Sequence, residues 1–179
     1  MALAAVIAPL AAFAATKEEK RDGVRQVARN TLERLYREQP GAKRAVDSAA
    51  GYAVFSNFGM KILFAGGGTG AGIAVNTKTK AETFMKMVEV QAGLGLGVKK
   101  FRLIWVFETA GKLNGFINNG WEIGGQATAS AQVSGKGAEI YAGALSIAPG
   151  VWLYQLSDDG LALELTAKGT KYYKDSELN

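Results

Sequence analysis

Residues 65–75 read Ala65-Gly66-Gly67-Gly68-Thr69-Gly70-Ala71-Gly72-Ile73-Ala74-Val75, and almost every side chain in this stretch is absent or very small. Glycines repeated in an extended segment mark a bend, a bulge or the close approach of another backbone or a ligand. Because the side chains of a strand alternate between two faces, the even-numbered glycines share one nearly bare face. The stretch therefore predicts a tightly curved strand.

Several other runs have the pattern of strands. Residues 93–98 alternate glycine with leucine or valine, and residues 124–133 are again small. Residues 98–108 are apolar on both faces, which predicts a central strand. Strands are also expected near residues 51–55, 139–148, 151–156 and 161–167, with hairpin turns at 149–150 and 157–160. Together these runs predict a curved, mostly antiparallel, glycine-rich sheet, either a sandwich or a partly closed barrel.

Helical signals begin at the N-terminal side. Residues 17–39 carry Val24, Ala28 and Leu35 at helical spacing and end before a Pro-Gly pair, so they predict an amphipathic helix. Short helices are expected over residues 42–50 and 109–117. Thr79 and Glu82 have the spacing of a capping box, which predicts a further helix ending near residue 93. The expected fold class is α+β, with the N-terminal helix packed on the sheet and one or two further short helices.

The chain of 179 residues has the length of one domain with a sizeable core. Residues 1–15 are apolar and end in an A-x-A pattern, which is typical of an export signal. We therefore expect a single domain over residues 16–179 in an exported protein of the periplasm or cell envelope, peripheral to the membrane.

The sequence contains no histidine and no cysteine. This composition excludes cysteine nucleophiles, Ser-His triads, disulfides and zinc fingers, because those sites need an imidazole or a thiolate. The glycine runs complete neither a dinucleotide fingerprint nor a phosphate-binding P-loop. The pair Asp158-Asp159 lacks further regularly spaced oxygen ligands, so it indicates a turn and not a calcium site. We expect no catalytic residues, no metal and no cofactor.

The formal charge of +5 is concentrated early in the chain, where residues 17–47 hold nine Lys or Arg and six Asp or Glu. Such a basic bias favours an anionic partner, although a docked helix with a solvated, salt-bridged outer face gives the same pattern. A second basic cluster, Lys99, Lys100 and Arg102, begins the strongest predicted strand and could hold a lipid headgroup.

The order of these parts resembles the SYLF domain family over about residues 20–174. The resemblance rests on the basic N-terminal helix, Gly51-Tyr52-Ala53-Val54-Phe55, Gly70-Ala71-Gly72-Ile73-Ala74-Val75, and Gly160-Leu161-Ala162-Leu163-Glu164-Leu165 followed by Tyr172-Tyr173. It implies a non-enzymatic module that binds anionic phospholipids of the phosphoinositide type through that helix. With the second cluster included, the candidate lipid-binding residues are Lys20, Arg21, Arg25, Arg29, Lys99, Lys100 and Arg102.

Three other functions remain open from the residues themselves. A structural or protein-interaction component of the cell envelope would use the same surface, and the oligomeric state is not predicted. An enzyme would need a pair of carboxylates assembled by folding, because no S-x-x-K motif is present. Nucleic acid is not expected as a partner, since the basic residues are interleaved with acids and lack an adjacent aromatic set.

Overall fold

The computed structural model describes residues 15–56, 67–90, 101–122, 138–158, 160–162 and 170–179. Most of the export-signal prediction lies outside these residues, as do Lys99, Lys100 and the small-residue strands predicted over 93–98 and 124–133. The helices are α1 (Lys17–Glu38), α2 (Gly41–Ser48) and α3 (Ala110–Asn119), with a 3-10 helix at Ala138–Tyr141. The strands are β1 (Gly51–Ser56), β2 (Gly67–Asn76), β3 (Glu82–Val90), β4 (Phe101–Phe107), β5 (Trp121–Glu122), β6 (Leu145–Ala148), β7 (Val151–Ser157), β8 (Gly160–Ala162) and β9 (Thr170–Lys174).

These strands form one antiparallel sheet that curls into a half-barrel. Its order is β5-β9-β3-β2-β1-β4-β7-β6, and β8 pairs with β7. The expected α+β class with an N-terminal helix packed on a curved antiparallel sheet is therefore confirmed. Residues 67–75 of the glycine-rich stretch belong to β2, which lies between β1 and β3 in the middle of that order.

Both faces of the sheet are covered by apolar side chains. On β4, Leu103 and Trp105 belong to a cluster that includes Phe116 of α3, whereas Ile104 and Val106 belong to a second cluster beneath α1 and α2. Alternation along one strand thus supplies both clusters, as the apolar character of both its faces predicts. The central position predicted for this strand is confirmed by its pairing with β1 on one side and β7 on the other.

The helix predicted after Thr79 is wrong, because residues 82–90 form strand β3. The Asn76 side-chain oxygen accepts the backbone N–H groups of Lys78 and Thr79 at 3.0 and 2.9 Å, which builds a turn and not a helix start. Lys80 then takes a positive φ of 60°, and the chain reverses to pair with β2 from Val75–Glu82 to Gly67–Val90. Pairing with the glycine-rich strand prevails over the capping-box pattern.

The strand predicted over residues 139–148 is shorter than expected. Its first part is the 3-10 helix, and β6 begins only after Gly143, which has a φ of 80°. Tyr141 stacks on Trp152 of β7 with ring centroids 4.4 Å apart, and this contact holds the 3-10 turn on the sheet. The two predicted hairpin turns are present, with Gly150 and Gly160 at positive φ.

Candidate functional site: a cavity between the first helix and the sheet

Helix α1 starts at a complete capping box. The Glu19 N–H donates to Thr16 Oγ1 at 3.2 Å, and the Thr16 N–H donates to Glu19 Oε2 at 2.7 Å. Along the helix, Ala28, Thr31 and Leu35 are buried against the sheet. Two of these three side chains are small, so the helix axis can approach the strands closely. The first helix is therefore docked on the body of the protein.

Two of the predicted lipid-binding arginines hold this docked position. The Arg21 guanidinium donates to the Leu178 carbonyl at 2.6 Å, and Arg25 Nε donates to Glu82 Oε2 at 2.9 Å. Both guanidinium groups also lie over the ring of Phe84, at 5.4 and 5.2 Å from its centroid. Hydrogen bonds from Arg25 and Arg21 hold the pKa of the Glu18 carboxyl below its ordinary value. These arginines join α1 to β3 and to the C-terminal segment.

Other cations of the same region have no carboxylate partner among the described residues. Arg29 is exposed and donates to the Gln26 side chain at 2.7 Å. Lys20, Arg37 and Arg44 are exposed as well, and none forms an ion pair with a described residue. The helix basics thus divide into two groups, one that fixes the helix and one that faces solvent.

A cavity of about 660 Å³ lies between α1 and strands β1, β2 and β3. Gly23, Val24 and Val27 line it from the helix, and Val54 and Ala71 line it from the sheet. Tyr173 of β9 and Leu178 complete the wall. A volume of this size is within the range of small-molecule binding sites, which is roughly 300–1,000 Å³.

The mouth of this cavity carries exposed apolar side chains. Val27 is 38% exposed and Tyr173 is 39% exposed, which makes them the most exposed large hydrophobic side chains among the described residues. Both line the same cavity. Scattered exposed apolar residues need no explanation, but two that line the same cavity indicate a contact surface.

The rim of the cavity holds two cations and two anions. Lys20 stands on the helix side, and Lys86, Asp175 and Glu177 lie on the other side. Lys86 Nζ lies 3.2 Å from Asp175 Oδ1 and 3.6 Å from Glu177 Oε2. Burial lowers the pKa of Lys86, but the hydrogen bond and charge of Asp175 outweigh burial and raise that pKa above its ordinary value. The rim has no net charge from these side chains.

The bare faces of Gly70 and Gly72 are not open to a ligand, although repeated glycines in a strand would permit the close approach of one. A Cβ atom on Gly72 would overlap the Phe55 ring and lie 2.6 Å from the Val54 carbonyl oxygen, and one on Gly70 would overlap the Met87 side chain. Side chains of the neighbouring strands β1 and β3 thus take the space that glycine leaves. Glycine is used here for close strand packing.

The second basic cluster is described only at Arg102. This residue is half-buried on β4 and pairs in register with Ser56, a residue of the cavity lining. The structure thus brings Lys20 to the cavity and places Arg102 opposite Ser56 on the neighbouring strand. Arg21 and Arg25 instead hold the first helix on the body of the protein.

The sequence reasoning missed the C-terminal residues of the site. Tyr173, Asp175 and Glu177 reach the cavity through the pairing of β9 with β3, in which Tyr173 lies opposite Lys86. One local signal was present in Gly23, because a glycine inside a helix costs about 1 kcal/mol relative to alanine and often has a packing or functional reason.

In the part of the chain that the structure describes, no group of three or more acidic, histidine or cysteine side chains could hold a metal ion. No helix among the described residues is long and apolar enough to cross a membrane.

No family model matches this chain. A protein of Aeromonas veronii named Beta cell expansion factor A is 35% identical over 167 residues. The match covers 91% of this chain but only 60% of the Aeromonas protein, so the chain spans less than two thirds of that relative's length.

Proposed function

We propose that this chain is a SYLF-family domain that binds lipid without catalysis and acts at an anionic membrane surface as an exported protein. One observation carries the proposal: the exposed side chains of Val27 and Tyr173 line the same cavity as Lys20, which forms no ion pair with a described residue. An amphipathic surface of this composition suits the boundary between lipid headgroups and acyl chains.

Basic side chains and apolar side chains both contribute to the free energy of binding to such a membrane. Each Lys or Arg close to an anionic leaflet contributes about 1 kcal/mol, and this attraction decays within a Debye length. Lys20, Arg29, Arg37 and Arg44 are available for it, because no carboxylate among the described residues neutralises them. A tyrosine at the same level places an apolar ring in the headgroup region while its hydroxyl stays hydrated.

The candidate headgroup contacts differ from the set expected from the sequence. Lys20 and Arg29 remain direct candidates, whereas Arg21 and Arg25 act through the docking of α1. Arg37 and Arg44 join the set by their exposure. Lys99, Lys100 and Arg102 remain candidates from the sequence.

The Aeromonas relative supports a shared domain. Its name attributes the expansion of beta cells to that protein. Since this chain spans only 60% of it, we carry over the domain and not the named activity.

The test is co-sedimentation of the chain with phosphatidylcholine vesicles that contain or lack phosphatidylglycerol. We expect binding to the anionic vesicles, weaker binding for Arg29→Gln combined with Arg37→Gln, and loss of the difference at high salt. Glu33 lies one helical turn from each of these arginines, so Glu33→Gln is the matched control and should strengthen binding.

Equal absence of binding to both vesicle types would overturn the lipid proposal. If light scattering then showed a stable oligomer that is indifferent to lipid, the alternative of a structural or protein-interaction component of the cell envelope would be favoured. In that case the exposed Val27 and Tyr173 would lie in a protein interface.

A further inference from the structure

The cavity under α1 combines an apolar interior with a rim of balanced charge. Its interior side chains include Val24, Val54 and Leu178, and its rim has two cations and two anions. Asp175 is 3% exposed and accepts the N–H groups of Glu177 and Leu178 in addition to the Lys86 ammonium. That pair is therefore satisfied within the protein.

The two most exposed of these charges come from different elements, and one of them, Glu177, shares the Lys86 ammonium with Asp175 at 3.6 Å. Lys20 is exposed on the helix, and the Glu177 side chain is 74% exposed on the C-terminal segment. A ligand head with one negative and one positive group complements such a pair, whereas a purely anionic head would meet Glu177 with no matching group.

The volume limits the apolar part of the ligand. At about 30 Å³ for a group the size of water, 660 Å³ accommodates roughly twenty heavy atoms. A single acyl chain fits this space, and a phospholipid with two long chains exceeds it.

We propose that the cavity binds one single-chain amphiphile with a zwitterionic head, of the lysophosphatidylethanolamine class. The acyl chain lies between α1 and the sheet, the phosphate approaches Lys20, and the ammonium approaches Glu177. The proposal rests on the proposed lipid-binding function and names a ligand of that same site that is bound from solution as a monomer.

The first test fills the cavity from the helix. A Cβ atom at Gly23 would meet nothing within 4 Å, and Gly23 lines the cavity, so Gly23→Leu places a side chain inside it without an initial clash. Leucine also favours the helix over glycine. Gly115 of α3 is the matched control, because it is equally open and lies outside the cavity lining.

Calorimetric titration with myristoyl lysophosphatidylethanolamine below its micelle concentration measures the effect. We expect saturable binding to the unchanged chain and to Gly115→Leu, and at least about a tenfold loss of affinity for Gly23→Leu, since a leucine side chain excludes apolar contact area. Equal binding by all three proteins, or no binding by the unchanged chain, would overturn the proposal. Thermal melts of both variants establish that they are folded.

The second test concerns the head. Glu177→Gln should weaken binding of the zwitterionic probe by about two- to fivefold, the effect of an exposed charge pair. The same change should leave the binding of monomyristoyl glycerol unaltered. If the neutral probe or myristoyl lysophosphatidic acid binds the unchanged chain as tightly as the zwitterionic probe, the assignment of the head is wrong.

Failure of the cavity assignment can be distinguished from failure of the proposed binding to anionic membranes. Gly23→Leu should still sediment with anionic vesicles through Arg29 and Arg37. A chain that binds vesicles but not the monomeric probe loses only the cavity assignment. A dimer in light scattering, with no probe bound, would assign the opening to a second copy of the chain and overturn the proposal.

Discussion

At the scale of single residues, the glycines of β2 leave space for both a side chain and a backbone carbonyl of the neighbouring strands. A Cβ atom at position 72 would overlap the Phe55 ring and approach the Val54 carbonyl oxygen to 2.6 Å. A flexible side chain can move, but the carbonyl belongs to the ladder between β1 and β2 and cannot. The absence of a side chain at this position is therefore a packing requirement.

We expect Gly72→Ala to destabilise the protein by about 1–3 kcal/mol, the usual cost of overpacking a core. Gly115→Ala is the matched control, and it should stabilise by about 0.5–1 kcal/mol, because its Cβ meets nothing and alanine favours a helix. Urea unfolding followed by circular dichroism measures both changes. A neutral or stabilising Gly72→Ala would show that the strands can separate at this position.

Residue patterns in the sequence predicted that this stretch is extended, but not what covers it. Glycine repeats permit close approach of another strand and of a ligand equally well. The choice depends on Phe55 and Met87, which come from two other strands, and their positions follow only from the strand pairing.

At the scale of elements, α1 was predicted to within one residue at its C-terminal end because its apolar spacing and the following Pro-Gly pair are local signals. Its capping box begins at Thr16, and its docking requires partners from β3 and from the C-terminal segment. The contacts between α1 and the C-terminal segment span up to 162 residues of chain. The roles of Arg21 and Arg25 could not be read from the helix alone.

Phe84, Met85 and Val88 have helical spacing in the sequence, although they lie in strand β3. A strand buried on both faces places apolar residues at adjacent positions, which also fit a helical period. Phe84 packs on the α1 side and Met85 on the opposite side. Met85 and Met87 are both buried in the core, which they reach from strand β3.

The contrast between the arginines of α1 predicts unequal effects on stability. Arg25→Gln removes the ion pair with Glu82 and the contact with the Phe84 ring, so the melting temperature should fall. Arg29→Gln removes only a bond to a neighbouring helix residue and should leave the melting temperature unchanged. Thermal melts of the two variants at neutral pH provide the comparison. Equal effects would contradict the division of the helix basics into docking and solvent-facing groups.

At the scale of the whole molecule, the curled sheet separates two apolar layers with different chemistry. The α3 side is rich in stacked and edge-to-face aromatic rings, such as Trp105 with Phe116 and Tyr172. The α1 and α2 side contains a group of buried or half-buried phenols: Tyr36, Tyr52, Tyr141 and Tyr154. The two layers share every central strand, so neither can open without disturbing the other.

Because these phenols are buried or half-buried, their ionisation at alkaline pH tests whether water reaches the α1 side of the sheet. Burial raises the pKa values of Tyr36, Tyr52, Tyr141 and Tyr154 above the ordinary value of about 10. A raised folded pKa stabilises the protein fully below the unfolded pKa, and this contribution is lost as pH rises above it. Tyrosinate absorbance from these four residues should therefore appear together with the loss of near-ultraviolet circular dichroism, and in urea it should develop near the ordinary pKa.

Tyr36→Phe should reduce the alkaline loss of stability, because that phenol no longer ionises on unfolding. A gradual titration of the four residues with native circular dichroism would show that water already reaches the α1 side, and the layer beneath the cavity would then be solvated.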